Sequence, residues 1–480
     1  MKSFVSIEDI GILEAPEEVL STMTKDGKRK WLYPIESRGR LYWKRLALGW
    51  GLIAFFVLLP IIPINGKPAI LLDFINREFA IFGMTFFPTD TFLLMVFGIA
   101  ALLSIVIFTA LFGRVWCGWG CPQTVYLEFV YRPIERWIEG KEHVRKKRNE
   151  GPWTWDKIWR RSLRFAIYGV ISLALANVFV SYFVGWERLL LWMTQPPAQH
   201  WGFFLMMAIT TGLILYDFGY FREQMCTIAC PYARIQSVLM DEDSLIVSYD
   251  PNRGEPRARR SKKKIKQELA GEIEAKGDCI DCFACVRTCP TGIDIRDGLQ
   301  MECVACTQCI DACDSIMDKI EKPRGLIRYT SERELEHKKT RTVRPRTVVY
   351  GVLLVALVSM FTIAFTSRGS YDINVGRNVG EPFTVLQDGR ITNRLRFRVR
   401  NLKSTPVSFE IQVVEPAGTE TRIIGVSPTP LEPFEMKRVE AFVIIPEAAF
   451  VEDDVEGEFN LIFDDGTTET VTFPLLGPSK

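Results

Sequence analysis

Cysteine carries the chemistry of this chain of 480 residues, and eight of its 12 cysteines stand in two tight runs. Cys279, Cys282, Cys285 and Cys289 precede Pro290, and Cys303, Cys306, Cys309 and Cys313 follow. Three closely spaced thiolates hold three irons of a cubane, and the fourth cysteine of each run crosses to the other cluster. The spacing therefore assigns Cys279, Cys282, Cys285 and Cys313 to one [4Fe-4S] cluster. It assigns Cys303, Cys306, Cys309 and Cys289 to a second. Structural zinc is the competing reading, but zinc ribbons pair two separated CxxC units rather than packing four cysteines into so short a run. Single-electron transfer is the chemistry this pattern supplies.

The other four cysteines form a repeat. Cys117, Cys121 and Pro122 make one C-x-x-x-C-P unit, and Cys226, Cys230 and Pro231 make another, with Phe112-Gly113 and Phe218-Gly219 upstream. Residues four apart on a helix share a face, so each unit can present two sulfurs to one point. Soft thiolates select Cu(I) above all, with zinc or an iron-sulfur centre as competitors. A lone cysteine packs as a small hydrophobe, but the duplication favours a shared metal or redox site. Pro122 and Pro231 lack a backbone donor and would break or kink the local helix. Met225, Met206 and Met207 offer thioethers, although their spacing fits core packing better. Among the boundary polar residues His200, Asp217 and Asn177, Asp217 stands nearest the thiols in sequence. With His143, His200 and His337 the only histidines and no CxxCH, haem is not expected. No P-loop or complete dinucleotide fingerprint is present.

These cysteines need elements to position them. Totals of 59 basic and 57 acidic residues look like an ordinary globular protein, but the apolar residues are unevenly spread. Windows at 46–63, 91–112, 163–184, 201–220 and 347–366 are each long and apolar enough to cross a bilayer. Cytoplasmic flanks retain positive charge. Lys25, Lys28, Arg29, Lys30, Arg38, Arg40, Lys44 and Arg45 before the first span, and Arg145, Lys146, Lys147 and Arg148 after the second, place both segments inside. The connections at 64–90 and 185–200 are poor in Lys and Arg and fall outside. All cysteines then lie on the reducing side, with 221–346 cytoplasmic and the chain after span five exported across a bacterial inner membrane. The first 40 residues lack an apolar h-region, so a cleavable signal peptide is not expected. The basic run Arg257, Arg259, Arg260, Lys262, Lys263, Lys264 and Lys266 reads as a solvated or lipid-facing linker rather than a nucleic-acid site. Trp153, Trp155 and Trp159 read as an interfacial belt.

Beyond about residue 370 the pattern turns to strands. Arg394–Arg400 alternates strictly, and runs follow at Ser408–Val414, Arg438–Ile445, Glu458–Phe463 and Glu469–Phe473, the last pair joined around Asp465-Gly466. Short strands at this spacing predict an immunoglobulin-like sandwich. Without cysteine or histidine it reads as a docking or stabilising module.

The predicted fold is multidomain: an α-helical membrane bundle of five transmembrane helices with an inserted α+β two-cluster ferredoxin domain and a C-terminal all-β immunoglobulin-like sandwich. Its boundaries run 1–45 for a cytoplasmic segment, 46–220 for four spans with the first thiol unit, and 221–270 for the second thiol unit and basic linker. They continue with 271–330 for the ferredoxin, 331–346 for a linker, 347–366 for span five and 367–480 for the exported sandwich. With both cysteine patterns placed, the whole chain resembles the CcoG/FixG/RdxA family of accessory proteins for cbb(3)-type cytochrome c oxidase. The resemblance implies reduction of Cu(II) to Cu(I), with Cys117, Cys121, Cys226 and Cys230 carrying copper and the other eight cysteines two [4Fe-4S] clusters. It implies as partners the lipid bilayer, the copper ion, oxidase assembly factors or a copper transporter, and an electron donor the sequence leaves unnamed. One departure from the generic ferredoxin pattern is Asp314, where proline would follow Cys313. Two other functions fit parts of the pattern: a membrane quinol dehydrogenase subunit, and a non-enzymatic assembly scaffold or redox sensor.

Overall fold

The computed structural model describes residues 21–24, 28–87, 90–270, 276–378, 380–450 and 454–478, without the side chains at 237, 262, 263, 266 and 269. Lys25, Lys262, Lys263 and Lys266 of the sequence reading thus lie outside what is described. Among the described residues, five segments are long and apolar enough to cross a membrane. They hold helices α1 (Arg40–Leu58), α2 (Thr91–Phe112), α3 (Trp155–Val184), α4 (Trp201–Tyr216) and α5 (Pro345–Thr366). Their outward residues, such as Leu102, Val170, Leu213 and Val352, are exposed apolar side chains that suit hydrocarbon rather than water.

Two helices begin earlier than the apolar windows predict, and each has a local cause. Asp311 accepts the backbone N–H groups of Leu41 at 3.1 Å and Tyr42 at 2.7 Å, capping the start of α1 from another element. Thr154 caps α3 by accepting from Lys157 N. The first turns of α3 carry Lys157, Arg160, Arg161 and Arg164, which extends this 30-residue helix beyond a hydrocarbon thickness into the headgroup zone. Trp153, Trp155 and Trp159 are exposed there, as an interfacial belt requires.

The connection between α1 and α2, given no secondary structure by the sequence, contains an antiparallel meander of β1 (Ile70–Asp73), β2 (Glu78–Ile81) and β3 (Met84–Phe86). Strands of three or four residues carry too little alternation to be read from sequence. Asp73 folds the first turn by accepting from Ile75 N and Asn76 N, and holds Arg188 at 3.2 Å.

The described residues of 21–63 and 67–361 form one compact unit. In it, β4 (Ile246–Tyr249) pairs antiparallel with β5 (Ile327–Thr330), and the helices Ala284–Thr288 and Gln308–Lys319 complete a cysteine-rich α+β layer. Its core joins Val247, Tyr249, Ile293, Ile310, Met317 and Leu326 to Leu41 of α1. The N-terminal segment is strapped to the same layer, with Thr288 Oγ1 donating to Ile35 O at 2.7 Å and Ile35 N donating to Arg287 O. The basic run is only partly a solvated linker. Arg260 is buried against Glu268 at 2.5 Å and donates to Gly277 O and Cys279 O, so this guanidinium ties the linker to the first cysteine loop.

The second unit holds residues 362–480 together with 64–66. Its strands are β6 (Tyr371–Arg377), β7 (Thr384–Val385), β8 (Ile391–Asn401), β9 (Val407–Glu415), β10 (Glu420–Ile424), β11 (Thr429–Leu431), β12 (Met436–Ile445), β13 (Asp454–Phe463) and β14 (Thr468–Leu476). One sheet runs β10-β12-β8-β6 with β7 on β8, and the other runs β11-β9-β13-β14. The strands missed in the sequence, among them β7, β10 and β11, are short or lie at sheet edges, where alternation fades. The two inner faces meet over Leu395, Phe397, Val399, Phe409, Phe459 and Leu461. Phe397 and Phe459 meet edge to face at 5.3 Å. Truncation in the Phe397→Ala variant is expected to cost about 3–5 kcal/mol. Calorimetry of the whole protein would show this as a lowered transition for this unit, and an unmoved transition would refute it.

Candidate metal centres

Each cysteine run folds as a loop leading into a short helix, and the two loops share a backbone signature. Asp281 and Phe283 in the first, and Ala305 and Thr307 in the second, all hold positive φ between 51° and 63°. Such conformations cost roughly 1–3 kcal/mol each in non-glycine residues and persist where the surroundings require them. Here they turn three successive cysteines inward.

The loops enclose two cavities. One is lined by Cys279, Cys282, Cys285 and Cys313, with Ile280, Phe283, Met317 and Leu326 as apolar walls. The other is lined by Cys289, Cys303, Cys306 and Cys309, with Cys285 also reaching its wall. The crossed sets that the spacing assigns are thus the sets that share a cavity. Burial pushes the thiols of Cys285 and Cys306 up to about 12 and that of Cys303 up to about 11, so the thiolate forms are costly without a cation. Two buried arginines stand beside the second set. Arg45 lies near Cys306 and Arg114 near Cys303, and each has guanidinium nitrogens with no hydrogen-bond partner among the described residues. Buried cations with open donors beside four thiolate positions suit an anionic iron-sulfur cluster, so the residues fit the group. At the first set Arg296 packs over Phe283 and pairs with Asp281 and Asp294. Asp314, in place of the usual proline, accepts from Gly325 N at 3.0 Å and fastens the end of the cysteine layer.

The C-x-x-x-C-P units do not lie along single helices as the four-residue spacing implied. Cys117 sits in the short helix Val115–Trp119, while Cys121 has extended backbone and precedes the helix Pro122–Tyr126. Cys226 sits in a wide π-turn, Met225–Ala229, and Cys230 precedes the helix Pro231–Leu239. Proline at the first helical position sets this break in both units, since it starts a helix readily but cannot continue one. The two units still converge. Cys117 and Cys226 share an apolar cluster with Val304 and Cys306, and the charge of each would be felt by Cys121 and Cys230. Among the described residues, no three His, Cys, Asp or Glu groups are already gathered around a point fit for a single metal ion. The quartet is open, and an ion held by it would have to draw the sulfurs inward.

Burial raises the Cys117 thiol, opposed by Arg114, and raises Cys121; it pushes Cys226 up to about 12, helped by the neighbouring cysteines. Cys117 Sγ donates to the buried Gln236 Oε1 at 3.1 Å. Asp217 accepts from Gln123 Nε2 at 3.1 Å and lies close enough to Cys121 to act on its charge. Met206 and Met207 pack instead with Val180, Val184 and Leu189, and His200 stacks on Trp192. None of the three serves the thiols.

Sequence reasoning missed the residues that join the quartet to the second cavity. Trp119 Nε1 donates to Tyr329 OH at 2.9 Å, and that hydroxyl donates to Ala305 O at 3.2 Å. Gly118 packs so closely on the same loop that an added Cβ would lie 2.6 Å from Val304 O and 2.7 Å from Ala305 O. Arg45 Nε fixes Gly118 O from the other side at 3.0 Å. The signal was present as the two glycines of Cys117-Gly-Trp-Gly-Cys121, which the second unit lacks. A Gly118→Ala variant is expected to displace the 303–309 loop at an overpacking cost of about 1–3 kcal/mol. Lower iron content or an altered EPR spectrum of the reduced protein would register it; both unchanged would show that the close approach is dispensable.

Among known proteins, RdxA of Cereibacter sphaeroides is 37% identical over 366 residues, 74% of this chain and 75% of its own length. FixG of Rhizobium meliloti is 33% identical over 445 residues, 83% of this chain and 82% of its own. The chain belongs to the FixG/RdxA family. Family models agree region by region: a 4Fe-4S dicluster domain at 221–332, a 4Fe-4S binding domain at 94–145, and the IG-like fold at the C-terminal of FixG at 361–478. A more remote match is the ferredoxin-type protein NapH of Haemophilus influenzae, 24% identical over 230 residues, 45% of this chain and 64% of its own. With its apolar helices, this FixG/RdxA protein is a membrane-associated iron-sulfur electron-transfer protein.

Proposed function

We propose that this FixG/RdxA protein reduces Cu(II) to Cu(I) at Cys117, Cys121, Cys226 and Cys230, for assembly of the copper centre of cbb(3)-type cytochrome c oxidase. One observation carries the reading: Cys117 and Cys226, from two membrane-helix ends, pack against Val304 and Cys306 of the second cysteine loop, with Cys121 and Cys230 near enough to act on their charge. Cys279, Cys282, Cys285 and Cys313, and Cys289, Cys303, Cys306 and Cys309, would hold two [4Fe-4S] clusters, which when bound supply single electrons.

The chain's own residues do the rest. The quartet takes Cu(II) as substrate and, being soft, favours the Cu(I) product. Val304 and Tyr232 give Cys117 and Cys226 an apolar wall. Arg114 lowers the cost of a thiolate at Cys117. The reaction moves one electron and needs no general acid or base. Charge in the flanks supports an inner-membrane orientation with the N-terminus and cysteine layer cytoplasmic and the sandwich periplasmic. Oxidase assembly factors or a copper transporter would take the Cu(I).

The test uses the whole protein, purified anaerobically, analysed for iron and copper, reduced with dithionite and mixed with Cu(II). Cu(I) should form as the EPR signal of the reduced clusters disappears. Copper that neither binds nor reoxidises them would end the copper reading.

A further inference from the structure

A cavity of about 320 Å³ opens beside the second cysteine set, and the reaction proposed above does not use it. Met240, Leu245, Ile246, Val247, Leu299 and Met301 make most of its wall, and Cys303 lies in that wall. Its depth is at the membrane boundary. Leu245 N donates to Leu111 O in the last turn of α2, while Ser244 Oγ and Arg344 Nη2 donate to Ala110 O, Arg344 standing just before α5. Leu299 and Met301 expose apolar surface near the opening.

The cavity has one charged group. Arg114 is more than nine-tenths buried, and its Nη1 donates to Met301 O. Its Nε and Nη2 have no oxygen acceptor among the described residues, although the guanidinium also lies beside Cys117 and Cys303. A buried guanidinium with open donors calls for an oxygen acceptor, since leaving it unmet costs at least about 1–3 kcal/mol. An apolar chamber of this size with one convergent donor fits a flat ring bearing oxygens at its ends.

We propose that this cavity binds the ring of a membrane quinol, with a ring oxygen on Arg114, and that the quinol is the electron donor of this protein. The destination of the electrons rests on the copper reading; the binding site does not. One quinol becomes quinone by losing two electrons and two protons. The two electrons convert two Cu(II) to two Cu(I), and the protons pass to water at the open side of the cavity. The bonds of Leu245 and Ser244 to the last turn of α2 set the cavity at a membrane-helix end, within reach of a lipid-soluble donor, and Cys303 in the wall would put a ligand of the second cluster beside it.

The experiment uses the whole, iron-loaded protein in lipid nanodiscs with an azido-quinone as photolabel. Label is expected on 240–247 and 299–303, displaced by unlabelled quinol. Met240→Trp and Leu299→Trp fill the cavity and should lower both labelling and quinol-driven Cu(I) formation about tenfold or more. Leu299 is half exposed, so its variant disturbs packing least; iron content and EPR confirm that both variants are loaded. Dithionite-reduced variants should still form Cu(I) at the wild-type rate. Label that maps elsewhere, or either loaded variant accepting electrons from quinol at the wild-type rate, overturns the proposal, as does a lipid acyl chain retained in the cavity against added quinol. If dithionite-reduced wild type forms no Cu(I), the copper reading fails while the labelling still decides the site.

Discussion

Replacing Cys117, Cys121, Cys226 and Cys230 together by serine is expected to abolish Cu(II) reduction while leaving about eight irons and the EPR signals of two clusters. The quartet lies in separate short elements, outside the two cavities lined by the other eight cysteines. Serine preserves volume but replaces soft sulfur with hard oxygen, which removes the preference for Cu(I). Cys117→Ser with Cys226→Ser should suffice, because these two pack on Val304 and Cys306. Iron counting gives the experiment a second edge. A 4Fe-4S binding model covers 94–145, where Cys117 and Cys121 are the only cysteines. A wild-type content near twelve irons that falls to about eight in the variant would place an iron-sulfur centre in the quartet and refute copper there.

The chemistry was legible where it depends on sulfur spacing along one local loop. Cys279 to Cys285 and Cys303 to Cys309 each act within a single turn of chain, so spacing fixes which sulfurs face inward. Even the crossed partners follow, because Cys289 ends the helix Ala284–Thr288 and Cys313 lies one turn past Cys309 in Gln308–Lys319. Strands such as β8 and β12 were legible for the same reason: strict alternation makes one face apolar. Contacts between distant segments were not. Asp311 capping α1, Gly118 lying on the Val304 and Ala305 carbonyls, and Arg45 fixing Gly118 from within an apparent membrane span each join residues far apart in sequence. These same contacts join the cysteine layer to the membrane-helix ends within one compact unit.

The same dependence makes Glu135 the charge whose removal should damage the fold most. It stands in the helix Arg132–Glu139, almost wholly buried, and receives Arg145 at 2.8 Å, Arg164 at 3.2 Å and Arg222 through two bonds of 3.0 Å. These arginines come from the helix Glu142–Glu150, from α3 and from the turn after α4, so one carboxylate locks three elements. The network continues through Arg222, Glu223, Arg132 and Glu128 to Gln308, next to Cys309. Burial alone would raise the Glu135 carboxyl, but Arg222, Arg145 and Arg164 together hold it far below the usual carboxylate range. Glu135→Gln keeps the shape but removes the carboxylate the three arginines share; Arg164 keeps Glu139 and Arg222 keeps Glu223, while Arg145 is left buried without its counter-charge, at a cost of about 3–5 kcal/mol. Thermal unfolding should begin several degrees lower, with iron lost in the same transition because the network ends at the second cysteine set. The pH dependence gives the sign. A depressed folded value means that Glu135 contributes its full stability above the unfolded value of about 4.3 and loses it as pH falls toward the folded one. The margin of wild type over Glu135→Gln should therefore be constant near neutrality and shrink only below about pH 4.3. Equal unfolding temperatures for the two proteins at pH 7 would show that the arginines find other partners and that Glu135 is not the lock.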